Sequence, residues 1–410
     1  MQYIKDGTKI VLWGIGNIGL QIINGKFGNY DICFAVDSKI KIGEEEYISN
    51  ILVRAPSVLR QISMEDKLLV IAMDYWMEVA EQLEKAGRHM FQDYTPYVYL
   101  NYSAIDIGFL WFCRDDTERK QILEKLSFGK KLCGLYGYCH TIFYMQCLME
   151  SREFTEKYCL IDFPTANVEH RNLKLLNEPW IYSILDVLIL GYVYPEERWG
   201  TPYWRTVYRW AGKQCKVLIV TSAVFNGYFP QQTNGIEKIK EKICWGDSNL
   251  NRMIQEGIAE EEILQILCKR DFYQYEDIEK HYDDALKKLD NIEKKCDVKI
   301  GDYIRKNGKK KVLMYSSTHP KEYVMLEIAR RIFEKLELDV TVLDDISGKQ
   351  MKSYKTYGEF IYPSVYYALG LEWDSSERVC VGDDIGVEMS FSEFVHTYIK
   401  LARNCLTDTN

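Results

Sequence analysis

Residues 9–19 read Lys9-Ile-Val-Leu-Trp13 and then Gly14-Ile-Gly16-Asn-Ile-Gly19. An apolar run of strand length that enters three spaced glycines and then apolar residues at helical spacing restricts the fold more than any other stretch. The first glycine permits a turn, the second lets backbone approach a pyrophosphate, and the third lets the helix close on the strand. A junction of this kind belongs to a parallel sheet covered by helices. Asp31-Ile-Cys-Phe-Ala-Val36 supplies a second strand and ends at Asp37, at the separation where a carboxylate meets a ribose hydroxyl. Leu68-Leu-Val-Ile-Ala72 predicts a third, with its helix over Tyr75 to Ala86 stopped by Gly87. Residues 1–126 are therefore expected to form a Rossmann-like doubly wound parallel sheet. It would bind NAD or a nucleotide-sugar through Gly14, Gly16, Gly19 and Asp37, or serve assembly alone.

The charged stretch Asp115 to Lys120 opens a helix that runs to Ser127-Phe-Gly129, and a fresh strand starts at Lys131. The expected boundary lies there, with a larger α/β domain of many helices over residues 127–410. It opens on Lys131-Leu-Cys-Gly-Leu-Tyr-Gly-Tyr-Cys-His-Thr141, again strand, turn and helix, with Cys139 in the helix's first turn. The positive end of a helix favours a thiolate, so a cysteine there gains nucleophilicity. Cysteine is also among the residues most often buried, and Cys133 and Cys147 read as core.

Tyr158 to Phe163 and Lys216 to Ser222 predict further strands, the latter leading into Asn226, Tyr228, Phe229 and Gln231. Amides and hydroxyls among aromatic rings suit a sugar, and equally a loop packed by its own rings. Lys311-Val-Leu-Met-Tyr315 predicts one more strand, whose exit Ser316-Ser-Thr-His-Pro320 places Pro320 at a helix start with Thr318 or His319 as cap. Near that positive end an imidazole stays neutral and acts as a base, or simply caps. Cys139 and His319 at neighbouring strand ends would form an activated nucleophile for acyl transfer, with His140 as a second base or a local cap.

The motifs of the second half resemble, in order, those of the WcbI family of capsular polysaccharide biosynthesis proteins. Gly137-Tyr-Cys-His140 is similar to its opening Gly-Asn-Cys-Gln, with Tyr138 in place of the usual Asn and His140 in place of Gln. Phe225 to Gln231, Asp247 to Glu262, Asp297 to Ile304, Lys311 to Pro320 and Tyr362 to Leu371 resemble its later segments. The resemblance implies a coenzyme A-dependent acetyltransferase that O-acetylates a sugar hydroxyl, with Cys139 as nucleophile or acyl-contacting thiol and His319 as base. Gly137, Ser317 and Thr318 are then the expected coenzyme A contacts, and Asn226, Tyr228 and Gln231 the contacts to a sugar or polysaccharide acceptor. The alternatives are an NAD- or nucleotide-sugar-binding enzyme centred on the first domain and a non-catalytic scaffold of the capsule machinery.

Bulk properties narrow the partners. A net charge of −8 over 410 residues argues against nucleic acid, which needs a concentrated basic surface. The longest apolar stretch, Trp180 to Tyr194, is too short to span a bilayer and is broken by Asp186, so it reads as core and no transmembrane segment is expected. Twelve cysteines without regular spacing, behind an N-terminus lacking a secretory pattern, place the chain in a reducing cytoplasm. Cys139, His140 and His319 lack standard zinc spacing, so no metal is expected. The acidic pairs Asp283-Asp284 and Asp383-Asp384 read as solvated faces, and self-association stays open.

Overall fold

The computed structural model describes all residues except 1–3, 101–103, 166–169, 193–199, 235–242, 244, 349–357, 374–378, 381–387 and 408–410. Asp383 and Asp384 lie outside the described residues. The fold is mixed α/β with parallel sheets and many helices. Two compact units emerge, one of Met1–Tyr136, Thr155–Leu188 and Pro195–Lys216, the other of Gly137–Phe154, Ile189–Tyr194 and Val217–Asn410.

In the first unit, β1 (Lys9–Trp13) is followed by α1 (Asn17–Ile23), β2 (Asp31–Val36), the hairpin of β3 (Glu45–Ile48) and β4 (Ile51–Arg54), then β5 (Leu68–Ile71), α2 (Trp76–Lys85) and β6 (Tyr94–Pro96). Their sheet runs β3-β4-β2-β1-β5-β6, parallel except for the β3/β4 pair. Ile10, Leu12, Ala35, Val53 and Val70 form its buried centre, which is why these runs are apolar almost throughout. The exposed β3, with Glu45, Glu46 and a largely exposed Tyr47, guards the sheet edge with charge.

β7 (Ile105–Asp106) precedes α3 (Asp116–Ser127) and β8 (Lys131–Gly137); after α4 (His140–Glu150) come β9 (Tyr158–Pro164), β10 (Val187–Gly191) and β11 (Lys216–Val220). These strands make a second sheet in the order β11-β10-β8-β9-β7, with β7 parallel to β9. The chain before residue 126 thus supplies a strand to the second sheet, and the expected boundary falls inside the first unit between α3 and β8. β7 is only two residues long, too short for its alternation to be read. Asp186, which interrupts the apolar stretch, accepts the backbone N–H of Leu132 through its carboxylate at 2.8 Å and so fixes the start of β8.

The second unit continues with β12 (Gln232–Asn234) paired antiparallel to β13 (Trp245–Asp247), then helices α5 (Ser248–Gln255), α6 (Glu260–Leu267), α7 (Tyr275–Glu293) and α8 (Gly301–Asn307). Asp247 caps α5, accepting from Asn249 and Leu250, and Glu260, Glu261 and Glu262 fill the first turn of α6, where the helix dipole favours them. The inward face of α7 is Ile278, Tyr282, Ala285 and Leu289, at helical spacing. Its last turn buries Glu293, which accepts from the backbone of Ile300 and Gly301 at the start of α8. Asp284 pairs with Lys287 in solvent, as expected of a solvated face.

The expected strand over Lys311–Tyr315 shortens to β14 (Met314–Ser316), and it pairs antiparallel with β15 (His319–Pro320) rather than joining a parallel sheet. α9 (Glu322–Leu336) then begins with Lys321, not His319, at its N-cap. Pro320 cannot donate to a ladder and sits at the outer end of the short hairpin, so the helix starts beyond it. α9 packs on α4, with Tyr144 of α4 directing its hydroxyl at Met325 Sδ.

Candidate active site

The end of β8 is shaped by what stands next to it. A Cβ on Gly134 would lie 2.5 Å from Leu185 Cδ1, and one on Gly137 would lie 2.8 Å from Thr141 Cγ2. Absence of a side chain at Gly137 therefore lets the first turn of α4 fold over the strand end. Thr141 completes that turn, donating both its N–H and its hydroxyl to Tyr138 O at 2.8 Å. Cys139 occupies the N-cap of α4 in helical conformation, and its side chain reaches the surface.

His319 arrives from the β14–β15 turn. Its Nε2 lies 3.8 Å from Cys139 Sγ, while its Nδ1 lies 2.9 Å from Ser316 Oγ and 3.2 Å from Thr318 Oγ1. An imidazole that accepts the thiol proton at Nε2 carries its own proton on Nδ1, and the two hydroxyls are the acceptors for it. His140 Nε2 stands 2.9 Å from the carbonyl of Thr318, which only accepts, so that nitrogen is the protonated one. His140 is thus a strut from α4 to the turn, its ring edge-on to His319 at 6.2 Å between centroids. Burial holds both imidazoles down at about 4, with His140 adding to the depression of His319 and the Thr318 carbonyl opposing that of His140. Both are neutral at physiological pH, as expected for His319, but because protein surrounds them and not because of a helix terminus.

The thiol departs from expectation. Surrounding protein atoms raise Cys139 above the ordinary thiol range, although the backbone N–H groups of His140 and of Cys139 itself pull it back. Loss of solvation outweighs the helix terminus. The resting pair is thiol and neutral imidazole, and the nucleophile forms when His319 takes the proton.

The other expected site residues divide. Ser317 is buried: its hydroxyl accepts from Gln232 Nε2 at 2.5 Å and its carbonyl from Phe225 N–H at 2.8 Å, which leaves it inside the scaffold rather than facing a ligand. Tyr228 is 0% exposed, packs with Phe225 and Tyr282, and donates to Gly308 O, so the expected aromatic surface for a sugar is core. Asn226 gives its carbonyl to His281 Nε2, and the Gln231 amide donates to Phe360 O. In the first unit, Gly14 adopts φ +104°, a Cβ on Gly19 would fall 2.4 Å from Gly14 O, and Gly16 faces open space. The Asp37 carboxylate accepts from Ile15 N–H at 3.2 Å and Lys39 N–H at 2.9 Å, holding the glycine loop itself. Among the described residues no three His, Cys, Asp or Glu side chains form a group that could hold a metal ion.

Sequence reasoning placed Ser316 in the strand's polar exit but gave it no role; its signal is its place three residues before His319 across a two-residue turn. The same reasoning passed over Glu359, whose link to the same turn has no local signal at all.

The family model for the polysaccharide biosynthesis enzyme WcbI matches residues 132–341, just over half of the 410-residue chain and the whole of the Cys139–His319 site. The chain belongs to the WcbI family. A solved structure of WcbI, described as the native protein without a disulfide bond between coenzyme A and a cysteine, superposes with a TM-score of 0.56 at 17% identity, over 67% of this chain and 90% of that one. That likeness shows the WcbI fold. No curated protein matches the sequence. Among the described residues no helix is long and apolar enough to cross a membrane.

Proposed function

We propose that this WcbI-family chain is a coenzyme A-dependent acetyltransferase of capsular or surface polysaccharide biosynthesis, with Cys139 as nucleophile and His319 as general base. The observation that carries the reading is the line from Cys139 Sγ through the His319 ring to Ser316 Oγ, at 3.8 and 2.9 Å. It has the order of a nucleophile, a base and a group that orients the base. Coenzyme A is named with a WcbI structure, and an exposed thiol at a helix start is accessible to a thioester. Gly137 and Thr318, which flank the pair, are the contacts we assign to it. When bound, acetyl-coenzyme A supplies the activated acyl group.

His319 Nε2 takes the proton of the Cys139 thiol as Sγ attacks the carbonyl carbon, and gives that proton to the departing sulfur. A sugar hydroxyl then attacks the acyl group on Sγ and passes its own proton to the same nitrogen, and the expelled Cys139 sulfur recovers it as a thiol. Neutrality of His319 near pH 7 keeps the base ready in both halves.

The test is release of free coenzyme A thiol from acetyl-coenzyme A in the presence of sugar acceptors, read beside intact mass for an acetyl adduct. Cys139→Ala is expected to melt like the parent and to lose transfer by about a thousandfold or more. Turnover equal to the parent's removes Cys139 from the chemistry.

A further inference from the structure

The turn that presents His319 is held by a segment from beyond α9. Glu359 donates its backbone N–H to Tyr315 O at 2.7 Å, and its Oε1 accepts from Gln232 Nε2 at 2.8 Å and from the Ser317 N–H at 3.4 Å. The same Gln232 amide bonds Ser317 Oγ, so one carboxyl and one amide clamp the residue next to Ser316. Glycine at 358 admits the approach, since a Cβ there would stand 2.9 Å from Tyr315 O.

Glu359 also borders a cavity of about 20 Å³, enough for one water molecule. Gln231, only 4% exposed, and Trp245 line it too, and Glu359 Oε2, Gln231 Oε1 and Trp245 Nε1 are buried with no hydrogen-bond partner among the described residues. A carboxylate would leave charge on Oε2 with no donor bonded to it, whereas a carboxylic acid places its proton on that oxygen, facing a cavity that an unfilled acceptor borders.

We propose that Glu359 is the positioning residue of the Cys139–His319 pair, acting through Gln232 and Ser317 on the turn that carries His319. It works as the neutral acid. Burial pushes Glu359 up to about 8, with Asp247 adding to the rise and the Ser317 N–H opposing it. Among the described residues Asp247 is the only other titratable side chain lining the cavity, and its carboxylate is already bonded to the Tyr362 hydroxyl and the start of α5. Above about pH 8 the ionised Oε2 lacks a donor among the described residues, the clamp on Ser317 rearranges, and His319 loses its line to Sγ.

The inference rests on the acyltransferase reading for what the pair accomplishes, so the test reads the thiol and not the transfer. Alkylation of Cys139 in the full chain by iodoacetamide is followed by peptide mass spectrometry, which separates it from the other cysteines, between pH 6 and 10. Glu359→Gln reproduces the neutral acid, with its amide nitrogen in place of the protonated oxygen. It is expected to match the parent within about twofold at pH 7 and to outrun it by about threefold or more at pH 9, where the parent's clamp has ionised. Glu359→Ala is expected to slow alkylation about tenfold at pH 7. A constant ratio between parent and Gln variant across the range overturns the proposal, as does an Ala variant that reacts at the parent's rate. A purely structural role would lower the melting temperature and leave that ratio flat, so the Gln variant decides even where the Ala variant fails to fold. The expected ratios alongside absent acetyl transfer would strike the acyltransferase reading and leave Glu359 in place.

Discussion

At the end of β1 the chain turns into α1 through Gly14, Gly16 and Gly19, and at the end of β8 it turns into α4 through Gly137 and Cys139. Both turns depend on a glycine against which the following helix packs: Gly14 O stands where a Gly19 side chain would be, and Thr141 where a Gly137 side chain would be. They differ in what they leave over. Around the first, the Asp37 carboxylate is engaged by two backbone N–H groups of neighbouring loops. Around the second, a thiol faces an imidazole nitrogen whose other side is already oriented. Similar backbone geometry becomes a reactive site only where a side chain retains an exchangeable proton and a partner to take it.

The comparison breaks most directly at His319. His319→Gln is expected to keep the fold, because an amide can still bond Ser316, yet to lower acetyl transfer by about a hundred- to a thousandfold. Asp37→Ala in the same assay should leave the rate unchanged. Loss of transfer in the Asp37 variant with an intact melt would mean that the first junction takes part in the chemistry.

Acid should also distinguish the two. With His140 and His319 both held at about 4, the folded chain binds fewer protons than the unfolded chain between about pH 6.5 and 4. Stability contributed by the neutral imidazoles is full above that window and is lost as pH falls through it. Melting curves of the parent should therefore drop over that range, and those of His140→Gln/His319→Gln should drop less. Parallel curves would show that the imidazoles are not held neutral by the fold.

The strands around both junctions were legible because their apolar runs are buried on two faces, as Ile10 to Leu12 and Cys133 to Tyr136 show. The nearness of Cys139 to His319 was legible from two strand exits read as walls of one cleft, and the order of family motifs pointed the same way. The β14–β15 hairpin was not, since Lys311 to Tyr315 looks like any buried strand and only the ladder reveals that Ser316 faces His319. Nor was the committed state of Asp37, Ser317 and Tyr228: hydrogen bonding and burial are settled by residues distant in sequence, such as Gln232 for Ser317 and Gly308 for Tyr228. The thiol's upward shift was missed for the same reason, because a helix start can be read from sequence and desolvation cannot.

Among the glycines, the comparison sharpens on stability. Gly19→Ala forces a Cβ to 2.4 Å from Gly14 O, and overpacking of this kind typically costs about 1–3 kcal/mol. Gly16→Ala meets nothing within 4 Å and needs no left-handed backbone, so the melt should stay or rise slightly through loss of unfolded-state freedom. Equal destabilisation of the two variants would mean that the loop's shape does not depend on the close approach of α1 to β1.

The smallest expected effect is also the one that most directly tests the first junction. Asp37 accepts two backbone hydrogen bonds in a partly exposed position, so Asp37→Ala should lower stability by about 1 kcal/mol, the usual net worth of such bonds where water replaces the lost acceptor. A carboxylate engaged in this way has less capacity for a ribose hydroxyl. Calorimetric titration with NAD or a nucleotide-sugar should then give the same heat, or the same lack of heat, in the parent and in Asp37→Ala. Binding in the parent that disappears in a folded Asp37→Ala chain would reverse the contrast: the first junction would then be a ligand site whose acid exchanges its loop bonds for a ribose, and the hydrogen bonds to Ile15 and Lys39 would mark its resting state.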